Sequence, residues 1–249
     1  MNLDRYSKLD NPAWWALNEA QQSWAVGKGP ALRYRRGILS FAAYDQELTS
    51  TDQRPAADSA QATATLDSYL DAGEVFFLIG ELPPLPASWT ILNELPCTQM
   101  VLEEPLTAVA EDVPSAGITI SHLTAADSAD MYALVTKVQP GYYERGTHQL
   151  GNYYGIRQEG KLVAIAGERL RLNGLTEISA ICTDPAYTGR GYAQLLTTHL
   201  CHTNQAKGIT PFLHTLQTNE RAIRIYQHLG FAQRRVISFW KLRKKQDRE

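Results

Sequence analysis

Cysteine is scarce in this chain: three residues in 249, at Cys97, Cys182 and Cys201. They are too few and too scattered for a disulfide framework or a four-ligand zinc site, so no metal is expected. Long apolar runs are missing too. A stretch such as Val75–Ile79 has five residues, whereas a helix that crosses a bilayer needs roughly 20. The opening residues Met1 to Arg5 lack the basic-then-apolar pattern of a secretory signal, so the expected location is the cytoplasm, away from membranes. There is no large net charge of either sign: the formal value is −2, with 44% hydrophobic and 20% charged residues. Collagen-like, disordered, membrane-spanning and disulfide-stapled classes are thereby excluded. A globular protein remains, long enough for one large domain or two ordinary ones.

The small net charge conceals a split. Residues 1–112 carry 7 Lys and Arg against 16 Asp and Glu, while residues 113–249 carry 17 against 10. A basic half invites an anionic ligand and an acidic half repels anions or draws amines, although two unlike domains attracting each other would leave the same imbalance. The acidic stretch 103–117, broken by proline and glycine, reads as a connector. It separates a domain over 1–112 from a second over 113–249. In the first, Asn11 and Pro12 open a helix, with Trp14, Leu17 and Trp24 on one apolar stripe. Ile38–Tyr44 and Val75–Ile79 read as strands flanking an alanine-rich helix over 56–72, and Thr98–Leu102 as a further strand. Segment 82–96 contains four prolines and is expected to hold no regular interior element. No acid–base pair, metal spacing or phosphate loop is recognisable in this half.

The second half alternates more legibly. Ile118–Leu123 reads as a strand, and Thr124 with Asp127 as a capping box opening a helix over Ala125–Lys137. A loop with Pro140, Gly141, Tyr142, Tyr143, Arg145 and Gly146 follows. Strands over 153–158 and 162–171 lead to Asn173-Gly174, the strongest hairpin signal in the chain. After a strand over 176–183 come a long helix near 190–207, a strand over 210–216, a helix over 219–229 closed by Gly230, and a last strand over 236–242.

The turn from Asp184 to Ala193 joins a strand to a helix. Gly189 and Gly191 let its backbone curl tightly and leave room for a ligand. The first amides of the following helix lie at the positive end of its dipole, where phosphate oxygens find partners. Arg190 adds a charge. By itself a G-x-G turn is more often a helix cap than an anion site. A dinucleotide fingerprint also fails, because Gln194 stands where the third glycine belongs, and no Walker lysine follows.

Two strings resemble signatures of the GNAT N-acetyltransferase superfamily: EISAICTDPAYTGRGYA over residues 177–193, and NERAIRIYQHLGF over residues 219–231. They stand in the family's order, separated by a helix and a strand, and the resemblance covers about 117–242. It implies an α/β fold with a mixed sheet, the GNAT acyl-CoA N-acyltransferase fold. The first half resembles, more faintly, the degenerate N-terminal halves of two-part GNAT enzymes. Thr188 stands where the family's turn has Arg or Gln, and Ala193 where it often has Gly.

The resemblance implies acetyl-CoA as acyl donor, no metal, and direct attack by a primary amine, either a small molecule, an amino acid or a peptide. Thr188, Gly189, Arg190, Gly191, Tyr192 and Ala193 would take the pyrophosphate. Ile181, Cys182 and Thr183 would offer backbone groups to the pantetheine arm and the thioester oxygen, and Asn219, also a helix cap, would bond that arm. Tyr226 matches the tyrosine placed near the thioester sulfur and is the candidate acid, against a purely packing role. Glu177 is the candidate base, against a surface-paired strand-end glutamate. Cys182 has no activating neighbour in sequence, which disfavours an acyl-cysteine. Acceptor contacts are expected from Tyr142, Tyr143, Arg145 and His148, with Arg145 either on an acceptor carboxylate or in solvent. His199, Cys201 and His202 lack further ligands for a metal. Arg243-Lys244-Lys245 reads as a solvated end rather than a nucleic-acid patch. A non-catalytic acyl-CoA-binding or sensing module is the alternative to an enzyme.

Overall fold

The computed structural model describes residues 3–46, 56–106 and 117–246. The chain divides into two compact units: unit 1 holds Met1–Arg36, Ser40–Cys97 and Val236–Glu249, and unit 2 holds Gly37–Leu39 and Thr98–Arg235. The expected cut after residue 112 lies in 107–116, outside the described residues. The units divide elsewhere because two long strands, β5 and β11 below, each pass from one unit into the other. Residues 37–39, expected in the first domain, belong to unit 2.

In unit 1, α1 covers Pro12–Asn18. Asn11 stands at its cap position without a side-chain capping bond, and its Nδ2 donates to the Tyr44 carbonyl at 2.8 Å. The buried helix face is Ala13, Ala16 and Leu17, and Trp24 lies beyond the helix in a separate 3-10 turn. β1 (Ala25–Lys28), β2 (Ala31–Tyr34) and β3 (Ala42–Tyr44) form an antiparallel sheet. The first two were not legible, since each is four residues long and β2 is buried throughout, so neither shows alternation. Of the expected strand 38–44, three residues form a strand. α2 spans Ala56–Ser68, and β4 (Val75–Ile79) pairs antiparallel with residues 239–243 of β11 (Ala232–Lys244). Tyr44, Leu66, Phe76, Leu78, Trp89 and Leu242 build the core.

Two expectations fail here for physical reasons. Segment 82–96 does enter a strand: β5 runs Trp89–Val101 and includes Pro96. Its residues 91–96 are exposed or half-exposed, so the missing proline amide leaves no buried partner unpaired. The basic tail is not a solvated end either. Arg243 and Lys244 belong to β11, and Lys244 Nζ donates to the carbonyls of Asp67 (2.7 Å) and Leu70 (3.2 Å) and to Asp67 Oδ2. A cation is favourable there, at the C-terminal end of α2.

Unit 2 contains β6 (Ile120–Leu123), α3 (Ser128–Val138), β7 (Tyr153–Gln158), β8 (Lys161–Leu172), β9 (Leu175–Thr183), α4 (Tyr192–Gln205), β10 (Thr210–Leu216) and α5 (Glu220–His228). The strand order is β5-β10-β9-β8-β7-β6. The Thr124–Asp127 capping box forms as expected, and the Asn173-Gly174 hairpin closes with Leu172 opposite Leu175. β9 and β10 are parallel and joined by α4, the crossover that parallel strands require. One sheet face packs Ile156, Val163, Ile178 and Leu213 against Leu196 and Leu200 of α4 and Tyr226 and Leu229 of α5 and its end. The other packs Leu123, Tyr153 and Ile165 against Met131, Leu134 and Val135 of α3.

Candidate functional site

The site begins where the sheet comes apart. β9 and β10 pair over Leu175–Glu177 and Thr210–Phe212 and then separate, although β9 continues to Thr183 and β10 to Leu216. Past Glu177, the edge of β9 that faced β10 has no ladder partner there, leaving backbone polar groups for another molecule. A bulge reinforces the separation. Gly167 lies opposite Ser179 and Ile165 opposite Cys182, so two residues of β9, Ala180 and Ile181, face one of β8, Ala166. Within the extra stretch Ala180 has φ 51°, a left-handed conformation that a non-glycine residue adopts only under constraint. The bulge also exchanges faces. Ile178 and Ile181 both contact the α4–α5 core, whereas Ala180 and Cys182 contact the α3 core.

β9 then leads into the glycine turn. Asp184, 1% exposed, accepts from the Ala186 amide (3.1 Å), from Lys137 Nζ (3.1 and 3.0 Å) and from Lys161 Nζ (2.9 Å). The Lys161 bond, the Ala186 amide and Lys137 hold its carboxyl well below the usual range. This buried carboxylate anchors the turn's start. Gly189 (φ 79°) and Gly191 (φ 76°) both occupy the left-handed region, and Gly191 is the N-cap of α4 without a side-chain bond. The N-cap residue therefore brings no side chain to compete for the first amides of α4. Arg190 is exposed, its guanidinium 4.9 Å from the centre of the Tyr187 ring. The Thr188 hydroxyl donates to the Pro185 carbonyl at 3.1 Å and so holds the turn. Tyr192 is buried, its hydroxyl accepting from Gln158 at 3.2 Å, and Ala193 is half-buried at the first turn of α4.

Tyr226 projects from α5 into the α4–α5 core beside Phe231, 9% exposed. Burial, with Cys182 and Cys201 acting in the same direction, holds its phenol above the usual range. Its hydroxyl has no hydrogen-bond partner among the described residues. Asn219 accepts from the Ala222 amide at 3.2 Å and caps α5. Cys182 is buried and its thiol is pushed up to about 12 by burial, unsuited to serve as a thiolate nucleophile. Cys201 is buried in the α4 face and His199 lies edge-on to Tyr154 at 4.3 Å; no metal-holding group occurs among the described residues.

Glu177 does not make the surface pair that the sequence allowed. It is 0% exposed, and its oxygens accept from Arg169 Nε (2.9 Å) and Nη2 (2.6 Å), a bidentate pair, and from His214 Nδ1 (2.7 Å). Burial alone would raise its pKa, but Arg169 and His214 outweigh that and hold it at about 2. The row continues: Gln99 Nε2 lies 2.9 Å from His214 Nε2, and Arg234 Nη1 donates to Gln99 Oε1 at 2.8 Å. With the Gln99 oxygen taken by Arg234, its amide N–H donates to His214 Nε2, and His214 Nδ1–H donates to Glu177. One polar row thus links β8, β9, β10, β5 and β11 where the β9–β10 ladder ends. Sequence reasoning found only Glu177 of these five residues. A carboxylate so neutralised is a weak base and a strong clamp.

The expected acceptor residues separate into two environments. Tyr143 is buried, edge-on to Tyr153 at 6.1 Å, with burial raising its phenol. Tyr142 is 38% exposed. Arg145 is exposed, its guanidinium 4.5 Å from the centre of the Tyr132 ring, with no carboxylate partner among the described residues. His148 Nδ1 lies 3.0 Å from the Arg145 carbonyl and so holds the loop backbone.

A mixed sheet thus splays between two parallel strands, with a glycine turn at the head of the crossover helix. The FR47-like protein family matches residues 153–240. A protein described as a GNAT-family acetyltransferase from Novosphingobium aromaticivorans is 32% identical, with 95% of this chain and 98% of that one covered and a TM-score of 0.81. A GCN5-related N-acetyltransferase from Kribbella flavida is 20% identical over 93% of each chain, with a TM-score of 0.59. No curated protein sequence matches the chain. The chain belongs to the GNAT acetyltransferase superfamily.

Proposed function

We propose that this protein is an N-acetyltransferase that moves the acetyl group of acetyl-CoA to a primary amine by direct attack. The observation that carries this reading is the unpaired β9 edge over residues 178–183, running into the two-glycine turn, with the unpartnered Tyr226 hydroxyl among the same packed elements. Acetyl-CoA supplies an activated thioester; the amine nitrogen forms the amide bond as the C–S bond breaks, coenzyme A leaves as a thiol, and the amine's proton passes to solvent. The turn amides and Arg190 bind the pyrophosphate, the β9 backbone orients the pantetheine arm, and an amide beyond the bulge faces the thioester oxygen. Tyr226 holds the proton that the leaving sulfur requires. Glu177 positions β9 rather than accepting the amine proton. Gly191→Ala is expected to lower acetyl-CoA affinity about five- to thirtyfold by calorimetry, because a Cβ at φ 76° costs about 1–2 kcal/mol, which the free turn sheds by relaxing and binding must restore. Unchanged affinity would remove the turn from the binding site.

For the acceptor we propose an amine that also carries a carboxylate, received by Arg145. Stacking on Tyr132 orients the guanidinium while leaving its donors available. The test is release of free thiol from acetyl-CoA over a panel of amino acids, their amides, polyamines, aminosugars and peptides. Amino acids are expected to exceed their own amides by about tenfold or more. Equal rates would sink the carboxylate assignment, and saturable acetyl-CoA binding without thiol release would identify a non-catalytic binding module.

A further inference from the structure

Ahead of Thr98, the sequence has three residues in unit 2: Gly37, Ile38 and Leu39. They lie against the loop that carries Tyr142, Tyr143, Arg145 and His148. The Gly37 carbonyl accepts from the Gly146 amide at 2.7 Å, and the Ile38 carbonyl accepts from the Thr147 hydroxyl at 2.7 Å. The same hydroxyl accepts from the Glu144 amide at 2.8 Å. One 1%-exposed side chain therefore fastens the loop to the 37–39 segment and closes the turn that presents Arg145. The packing is tight as well as polar. A Cβ at Gly146 would stand 2.6 Å from Ile38 Cδ1 and 2.7 Å from the Gly37 oxygen. Gly146 has φ −95°, open to any residue, so contact with the segment and not backbone conformation calls for glycine. On the other side, the Gly151–Asn152 end of the loop is held by Glu168, whose Oε2 accepts from the Asn152 amide at 2.9 Å and from Asn152 Nδ2 at 3.0 Å. The loop is thus fixed at both ends, once by the sheet and once by the segment.

We propose that Gly37–Leu39 is a strap that positions the acceptor loop, with Thr147 and Gly146 as its positioning residues, so that the N-terminal half of the sequence helps set amine specificity. The inference rests on the acceptor reading of residues 142–148. Bonds of this kind hold a loop order without touching substrate, so their loss raises local opening and not global unfolding.

The test uses the full chain and three variants: Thr147→Val, which keeps the shape and removes the hydroxyl, Thr147→Ser, which restores it, and Gly146→Ala. Hydrogen exchange of the Gly146, Thr147 and Gln149 amides is read with no substrate present. Thr147→Val and Gly146→Ala are expected to speed exchange about tenfold, and Thr147→Ser to return it to within about twofold of wild type. In thiol-release assays with the amino acid turned over fastest by the wild type, acceptor KM is expected to rise about three- to tenfold, with acetyl-CoA KM unchanged. Unaltered exchange in both disruptive variants would overturn the strap. Faster exchange with unaltered acceptor KM would overturn the role in specificity, whereas equal wild-type rates on amino acids and their amides would overturn the acceptor reading instead. Equal rises in both KM values would mark a general disturbance and also overturn the role in specificity.

Discussion

Tyr226→Phe is expected to slow acetyl transfer about 10²- to 10⁴-fold, the usual contribution of a positioned general acid, while acetyl-CoA affinity stays within about twofold. The substitution removes one oxygen and keeps the ring that packs in the α4–α5 core beside Phe231. Because that oxygen has no protein partner among the described residues, its loss leaves no buried donor or acceptor orphaned, and stability should hold. Rate and fold are therefore separated in one variant. Burial holds the phenol above its usual range, so it stays protonated through neutral pH, and no alkaline fall in kcat below about pH 10 should originate from it. Single-turnover thiol release with calorimetric binding of acetyl-CoA checks the result. A variant as fast as the wild type would reduce Tyr226 to a packing residue.

Glu177→Gln is expected to destabilise the protein by about 3–5 kcal/mol, because it strips the charge from a buried ion pair with Arg169, whose side chain is 11% exposed. The acid side carries an independent signature. The carboxyl is held at about 2 in the folded protein against an ordinary value of 4.5. A depressed pKa contributes stability that is fully present above about pH 4.5 and lost as pH falls toward about 2, on the order of 3 kcal/mol. Urea midpoints at neutral pH and through that acid window, for wild type and variant, measure both effects. The variant should start lower and show a shallower acid decline. A catalytic base would behave oppositely: kcat would collapse with the urea midpoint intact, an outcome that would falsify the clamp.

Much of the fold was legible because its signals are local. The Thr124–Asp127 box, the Asn173-Gly174 hairpin and the Asn219 cap each need only a few neighbouring residues. Pro96 misled because the cost of proline in a strand depends on whether its position is exposed, which proline content does not reveal. β1 and β2 escaped notice because short strands carry little periodicity.

Glu177 shows the limit at the site. Counted outward from the hairpin turn, an unbroken ladder sets Leu170 opposite Glu177. The register shift between Glu168 and Arg171 brings Arg169 there instead, and it alters which side chain meets the carboxylate. The other partners come from β10, β5 and β11, up to 135 residues away along the row's longest link.

The sequence by itself determined the superfamily, the elements of the second half, and the residue types of the turn and of the Tyr226 signature. Those depend on local backbone preferences and on spacing along one strand or helix. Only the tertiary structure decided that Glu177 is buried between Arg169 and His214, that β9 bulges at Ala180 and parts from β10, and that Gly37–Leu39 bonds to residues 146–147. Burial, register and pairing across distant segments set those three outcomes, because electrostatics and sterics act through space and not along the chain.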